Sequence, residues 1–244
     1  MSIVDDEATA APGARLRPSR DLGRPGELRP DFSEILRLVR PGSRVLDIGC
    51  GEGALLELLV NEKGCDGRGL EISSGGVAAC LARGLAVVQG DADRDLADYP
   101  SRGFDYAILS QTLQATVAPR EALIELLRIA EHTIVSFPNF AHWRMRLSLM
   151  VKGRMPETSA LPHHWWSTPN IHMCSLRDFV ELCDDLDLRI DFCAALATGQ
   201  PPRAVDPRRA IENWRAESAL FLLSRPGSGA PAAAVEAPKK DLFG

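Results

Sequence analysis

The chain has 244 residues, 45% of them apolar and 25% charged, a balance that suits one large globular domain. Its formal net charge of −5 argues against a general nucleic-acid binder. No run reaches the roughly 18 apolar residues of a membrane-spanning helix, and the acidic start MSIVDDEATA lacks the basic and apolar stretches of a secretory signal.

Residues 1–28 are rich in Ala, Pro, Gly, Arg and Asp without an apolar period, and read as a disordered arm. Residues 225–244 read as a flexible tail for the same reason. The folded domain is therefore expected over 29–224. Asp31, with Glu34 three residues on, resembles a capping box. Phe32, Ile35, Leu36 and Val39 follow at helical spacing, and Pro41-Gly42 ends that helix.

A strand–helix alternation comes next. Strands are expected at Arg44–Ile48, Gly67–Ile72, Leu85–Gln89, Phe104–Ser110 and Thr133–Phe137. The intervening helices run through Leu55, Leu58 and Leu59, through Val77 and Leu81 behind a Ser73 or Ser74 cap, and through Leu123, Leu126, Leu127 and Ala130 behind Pro119. The stretch from Pro138 to Cys174 is too long for a bare loop. It is expected to hold a helix at about Ala141–Lys152, with Trp143, Leu147 and Met150 inward and Gly153 as its stop. Ser175 and Asp178 open another helix, through Phe179, Leu182, Cys183 and Leu186. Strands near Leu188–Ala195 and Glu217–Leu223 finish the sheet, with Thr198–Arg209 as a polar, proline-rich loop between them. Such alternation predicts an α/β protein with a mostly parallel sheet and helices on both faces.

The strongest motif is Val45-Leu46-Asp47-Ile48-Gly49-Cys50-Gly51-Glu52-Gly53, where a strand turns into a helix. Glycines let the backbone turn tightly and approach a ligand. Glu71 ends the next strand, 22 residues after Gly49, the place from which a carboxylate binds a ribose diol. The ribose could belong to a dinucleotide or to S-adenosylmethionine. The loop departs from GxGxxG, and Asp47 stands two residues before its first glycine. A carboxylate there would repel a pyrophosphate and attract the ammonium of a methionine moiety. This favours S-adenosylmethionine or S-adenosylhomocysteine, with Gly49, Cys50, Gly51, Gly53, Glu71, Ile72 and Ser110 around it. Asp91 is placed to accept from the adenine amine, with Ala92 giving a small backbone contact. The bland alternatives are a turn acid at Asp47 and surface charges at Glu71 and Asp91.

Residues 44–111 resemble the class I S-adenosylmethionine-dependent methyltransferase fold. A closer resemblance, over roughly 28–192, is to the methionine-biosynthesis protein MetW family. It rests on LRPDF (28–32), SRVLDIGCGEG (43–53), GLEI (69–72), FDYAILSQTLQA (104–115), IVSFPNFAHWRMRL (134–147), GRMP (153–156) and LPHHWWSTPNIHMCSLRDF (161–179). The resemblance implies a Rossmann-like methyltransferase fold with a mostly parallel seven-stranded sheet, the seventh strand antiparallel, and an α-helical insertion after strand five. It also implies an accessory protein of methionine biosynthesis that associates with homoserine O-acyltransferase.

A catalytic group is harder to find. Ser110-Gln111-Thr112-Leu113-Gln114, after strand four, is neutral throughout. Gln111 and Gln114 either hold a substrate or hydrogen-bond the loop, and His142 or His163 in the insertion could serve as a base for methyl transfer to a small molecule, the alternative function. His163, His164, His172 and Cys174 lack paired ligand spacing, so no metal is expected. The insertion is also rich in Trp, Met and Arg, the residues of interface cores. Six cysteines without a CxxC pair fit a reducing cytoplasm. Neither nucleic acid nor membrane is expected as a partner, and homo-oligomerisation stays open.

Overall fold

A computed structural model describes residues 29–158, 161 and 163–228. The expected arm at 1–28 and most of the expected tail lie outside the described residues. Eight strands form one sheet in the order β3-β2-β1-β4-β5-β8-β6-β7. Strands β1 (Arg44–Ile48), β2 (Asp66–Glu71), β3 (Ala86–Gln89), β4 (Phe104–Ser110) and β5 (Ala130–Pro138) pair in parallel. The strand β8 (Ser218–Ser224) runs antiparallel to both β5 and β6 (Arg189–Ala197), and β7 (Gln200–Ala204) runs antiparallel to β6. The helices are α1 (Pro30–Leu38), α2 (Ala54–Lys63), α3 (Ser74–Ala82), α4 (Pro119–Ile129), α5 (Trp143–Lys152), α6 (Leu176–Asp185) and α7 (Ala210–Arg215).

Alternation along the strands sorts the core onto two faces. Leu46, Ile48, Ala107, Leu109, Val135 and Phe137 meet α4 and α6. Val45, Tyr106, Ile108, Ile134, Leu220 and Leu222 meet α1 and α2. On the first face the rings of Phe137, Phe179 and Phe221 lie 4.7–5.7 Å apart. Each such ring removed from water contributes about 1.5–3 kcal/mol.

Four details differ from the sequence reading. The eighth strand, β7, comes from the proline-rich stretch expected to be a loop; its Pro201 and Pro202 are tolerated because β7 is the sheet's edge, where a missing N–H breaks no inner ladder. Helix α1 has no capping box: Arg29 stands at its N-cap, Pro30 opens it, and Asp31 is buried in its first turn. Ala130 starts β5 rather than continuing α4. In α5 the inward residue is Met145, 1% exposed, whereas Trp143, Leu147 and Met150 face outward, Met150 at 79%. Spacing alone identifies a stripe on a helix, and among the described residues this one stays exposed. The stop at Gly153 (φ 61°), the Ser73 cap accepting from the Gly76 N–H, and the Ser175–Asp178 capping box all form as the sequence suggested.

Candidate functional site

Strand order reverses at β1: the chain passes to β2 and β3 on one side and to β4 and β5 on the other. A crevice at the carboxyl ends of the strands is the usual result. Asp47 pairs with Gly69 on β2 and with Ile108 on β4, so it sits at this switch point. It shares parity with Val45, towards α1 and α2, and is only 2% exposed, beneath the turn.

The turn is built by its glycines. Gly49, Gly51 and Gly53 have φ of 69°, 57° and 82°, a region that side chains resist. Gly49 N–H donates to the Leu70 carbonyl at 2.7 Å, and Gly53 caps α2 with no side-chain acceptor. The first N–H groups of α2 thus lack a side-chain cap, as suits an anion or a ligand carboxylate.

Glu71, 8% exposed, ties the end of β2 to this turn. Its Oε2 accepts the Gly51 N–H and its Oε1 accepts the Ser73 N–H, each at 2.8 Å. A carboxylate has about four acceptor positions, so two such bonds leave capacity for a diol. Gly76 must stay small here, since a Cβ would lie 2.7 Å from the Gly51 carbonyl and 2.9 Å from Glu71 Cγ.

Cys50 turns its side chain into a cluster with Leu56, Cys80 and Leu85. Its sulfur lies 3.9 Å from that of Cys80. Burial pushes the Cys50 thiol well above its ordinary range, and the negative charges of Asp47 and Glu71 push in the same direction. Cys80 is raised by burial too, with the same two carboxylates contributing. Both acids therefore lie close to one small region around Gly51.

Other expected site residues divide. Ile72 follows Glu71 and is exposed, with its carbonyl accepting from Gln89 Nε2 at 3.3 Å. Asp91 accepts the Asp93 N–H at 2.9 Å, and its own N–H donates to Asp95 Oδ2 at 2.7 Å. Ala92 packs beside the main core. The hydroxyl of Ser110 donates to Asp31 Oδ2 at 2.7 Å and accepts from Arg29 Nη2 at 2.8 Å. Gln111 is exposed and carries φ 55°, an uncommon conformation for a residue of its kind. Gln114 is buried; its Nε2 donates to the Pro138 carbonyl and to Cys174 Sγ, which is a loop-holding role. His142 is buried at the start of α5, where burial holds its pKa below the usual value. His163 is exposed in the insertion, and no hydrogen bond joins either histidine ring to the glycine turn. Among the described residues no group of three or more His, Cys, Asp or Glu is placed to hold a metal ion.

Beside Ser110 lies a cluster that no motif in the sequence marks. Asp31, 1% exposed, accepts from Arg29 Nε and Nη2, from Ser110 Oγ and from Ser136 Oγ at 2.6–3.1 Å. Ser136 Oγ in turn accepts the Gln111 N–H at 3.1 Å. Asp31 is visible in the sequence, where helix capping accounts for it equally well.

Strand order and the acidic glycine turn define the class I S-adenosylmethionine-dependent methyltransferase fold. An S-adenosylmethionine-dependent methyltransferase from Mesorhizobium loti superposes with a TM-score of 0.58 at 18% identity, covering 80% of this chain and 96% of that one. One from Thermotoga maritima gives 0.57 at 17%, covering 80% and 90%. The [4+2]-cyclase SpnF gives 0.55 at 17%, covering 80% of each, so this architecture also carries chemistry of another name. The chain belongs to the family described as Methionine biosynthesis protein MetW, which it matches over residues 29–223. It is also 34% identical over 173 residues to the bifunctional methionine biosynthesis protein MetXA/MetW of Rhodopirellula baltica, covering 67% of this chain and 28% of that larger protein.

Proposed function

We propose that this chain is an accessory protein of methionine biosynthesis that binds S-adenosylmethionine or S-adenosylhomocysteine and associates with a cytoplasmic homoserine O-acyltransferase to support its activity. The observation that carries this reading is the Rhodopirellula relative, whose name joins MetXA, which we read as the acyltransferase, to MetW in one polypeptide. No helix among the described residues is long and apolar enough to cross a membrane, and the six cysteines are free thiols, as a reducing compartment favours.

The residues present suit the adenosyl ligand. Glu71 has acceptor capacity for the two ribose hydroxyls, and the glycine backbone of Gly49–Gly53 would lie against the methionine moiety. The buried charge of Asp47 attracts an ammonium and a sulfonium. Ile72 offers an apolar surface to the adenine, while Asp91 and Ala92 offer an acceptor and a backbone contact at its edge. Ser110 and Cys50 contribute through the backbone, since Asp31 and Arg29 hold the Ser110 hydroxyl and Cys50 points inward. S-adenosylmethionine supplies an electrophilic methyl group; S-adenosylhomocysteine supplies none and acts only as a signal. A signal can alter a partner's activity through its different affinity for the free and the associated protein.

The test is direct. Homoserine O-acyltransferase from the same organism is assayed with and without the purified chain. Co-purification and a raised rate are expected. An unchanged rate, together with turnover of S-adenosylmethionine on a small molecule, would establish the methyltransferase alternative.

A further inference from the structure

Among the described residues, exposed apolar side chains are concentrated in the insertion between β5 and α6. On α5, Trp143, Leu147, Met150 and Val151 stand at i, i+4, i+7 and i+8, one continuous stripe that faces solvent while Met145 faces the core. Trp165 and Trp166, 68% and 67% exposed, pack edge to face at 5.7 Å in the same insertion. Scattered exposed apolar residues need no explanation, but a contiguous group marks an interaction surface.

The chemistry of the rim says what covers it. Arg144, Arg146 and Lys152 lie on α5 and Arg154 just beyond it, on a chain whose net charge is −5; Arg144 already pairs with Glu217 at 3.5 Å. Lys152 and Arg154 have no carboxylate within ion-pair distance among the described residues. Arg146 lies over the Trp214 ring at 5.3 Å, joining the surface to α7. Aromatic, Met and Arg side chains form the energetic centres of protein interfaces, and a basic rim selects an acidic partner.

The surface also has a firm mounting. Gln114 Nε2 donates to the Pro138 carbonyl at 3.1 Å and to Cys174 Sγ at 3.3 Å, at the two ends of the insertion. Its carbonyl accepts the N–H groups of Ile171 and His172 at 2.9 and 3.0 Å. The insertion therefore hangs from the segment that follows β4, three residues after the strained Gln111 at the crevice wall.

We propose that the outward stripe of α5, with Trp165 and Trp166, is the docking surface for the homoserine O-acyltransferase, which meets it with an apolar patch rimmed by carboxylates. This rests on the accessory reading above. The family match, residues 29–223, includes the whole surface, and the Rhodopirellula relative combines the two named parts in one chain.

The test compares three full-length proteins against the acyltransferase by calorimetry: the parent, a Met150→Asp/Val151→Asp variant, and a Leu81→Asp control on α3, where Leu81 is also exposed. All three positions are on the surface, and thermal melts confirm folding. The expected result is parent and control binding alike, and the double variant binding roughly tenfold more weakly or worse, with its affinity for S-adenosylmethionine unchanged. Equal binding by all three overturns the surface and leaves the accessory reading standing. No binding by the parent removes both. Sedimentation of each chain alone separates the remaining occupant: if the double variant only breaks a self-association, the surface joins two copies and the proposal is wrong. A Trp165→Ala variant supplies a second probe should the aspartates disturb α5.

Discussion

The Glu71 carboxylate accepts the backbone N–H of Gly51 at 2.8 Å, so one side chain at the end of β2 holds the turn that follows β1. A group that shapes the turn is also the natural acceptor for a ribose diol. Replacing Glu71 by Ala should therefore weaken adenosyl-ligand binding and lower stability, each by about 1–3 kcal/mol. Glu71→Gln should retain one acceptor and lose less. Calorimetry with the ligand and urea titration without it separate the two effects.

Gly53 and Gly64 both have positive φ, 82° and 61°, but only Gly53 is crowded: a Cβ there would lie 2.5 Å from Leu85 Cδ1 and 2.8 Å from Cys80 Sγ, and one on Gly64 would meet nothing within 4 Å. Gly64→Ala should cost only the backbone strain, about 1–2 kcal/mol. Gly53→Ala should add overpacking of about 1–3 kcal/mol. Paired denaturation curves check the ordering.

The Arg29–Asp31 pair is buried and bonded to Ser110 and Ser136, whereas Arg37–Glu34 on the same helix is half-exposed. Asp31→Ala removes the buried acceptor that Arg29, Ser110 and Ser136 share and should cost about 1–3 kcal/mol. Arg37→Ala should stay within about 1 kcal/mol. Equal losses by urea denaturation would show that the network adds nothing.

Burial holds His132 below its ordinary 6.5, outweighing Glu131 and Asp191, which raise it; Arg40 and Arg189 push it further down. Both its ring nitrogens lack hydrogen-bond partners, and the Tyr106 ring stands 5.4 Å away. The folded state thus binds fewer protons than the unfolded one. Its contribution is complete above about pH 6.5 and is lost as pH falls from there through the folded-state value. His142, also held low by burial, adds to the same decline. His132→Phe should flatten part of it when stability is measured across pH 5–8.

Much of this architecture could be read from the chain because local rules and tertiary packing agree there. Phe104–Ser110 is a near-continuous apolar run, and it becomes the strand covered on both faces. Asp47, the three glycines and Glu71 were legible as a group because a turn with positive φ and a carboxylate after the next strand have few other uses. The failures have physical causes. Pro201 and Pro202 argue against a strand only where both edges are paired, and β7 has a free edge. Asp31 could cap a helix as well as bury an ion pair, and nothing local tells these apart. The direction of the α5 stripe depends on what packs against the helix, which no period within the helix records. Gln111 and Gln114 looked alike as neutral amides, yet one is exposed at a strained position and the other is buried as an anchor.

We propose that Asp47, Gly49–Gly53 and Glu71 together accept an adenosyl sulfonium or its thioether product. Calorimetric titration of the full-length chain with S-adenosylmethionine, S-adenosylhomocysteine and a nicotinamide dinucleotide tests it in a single series. Saturable binding of at least one adenosyl compound, abolished or strongly weakened by Glu71→Ala, and no binding of the dinucleotide are the expected results. Binding of the dinucleotide alone, or adenosyl binding indifferent to Glu71, would contradict it.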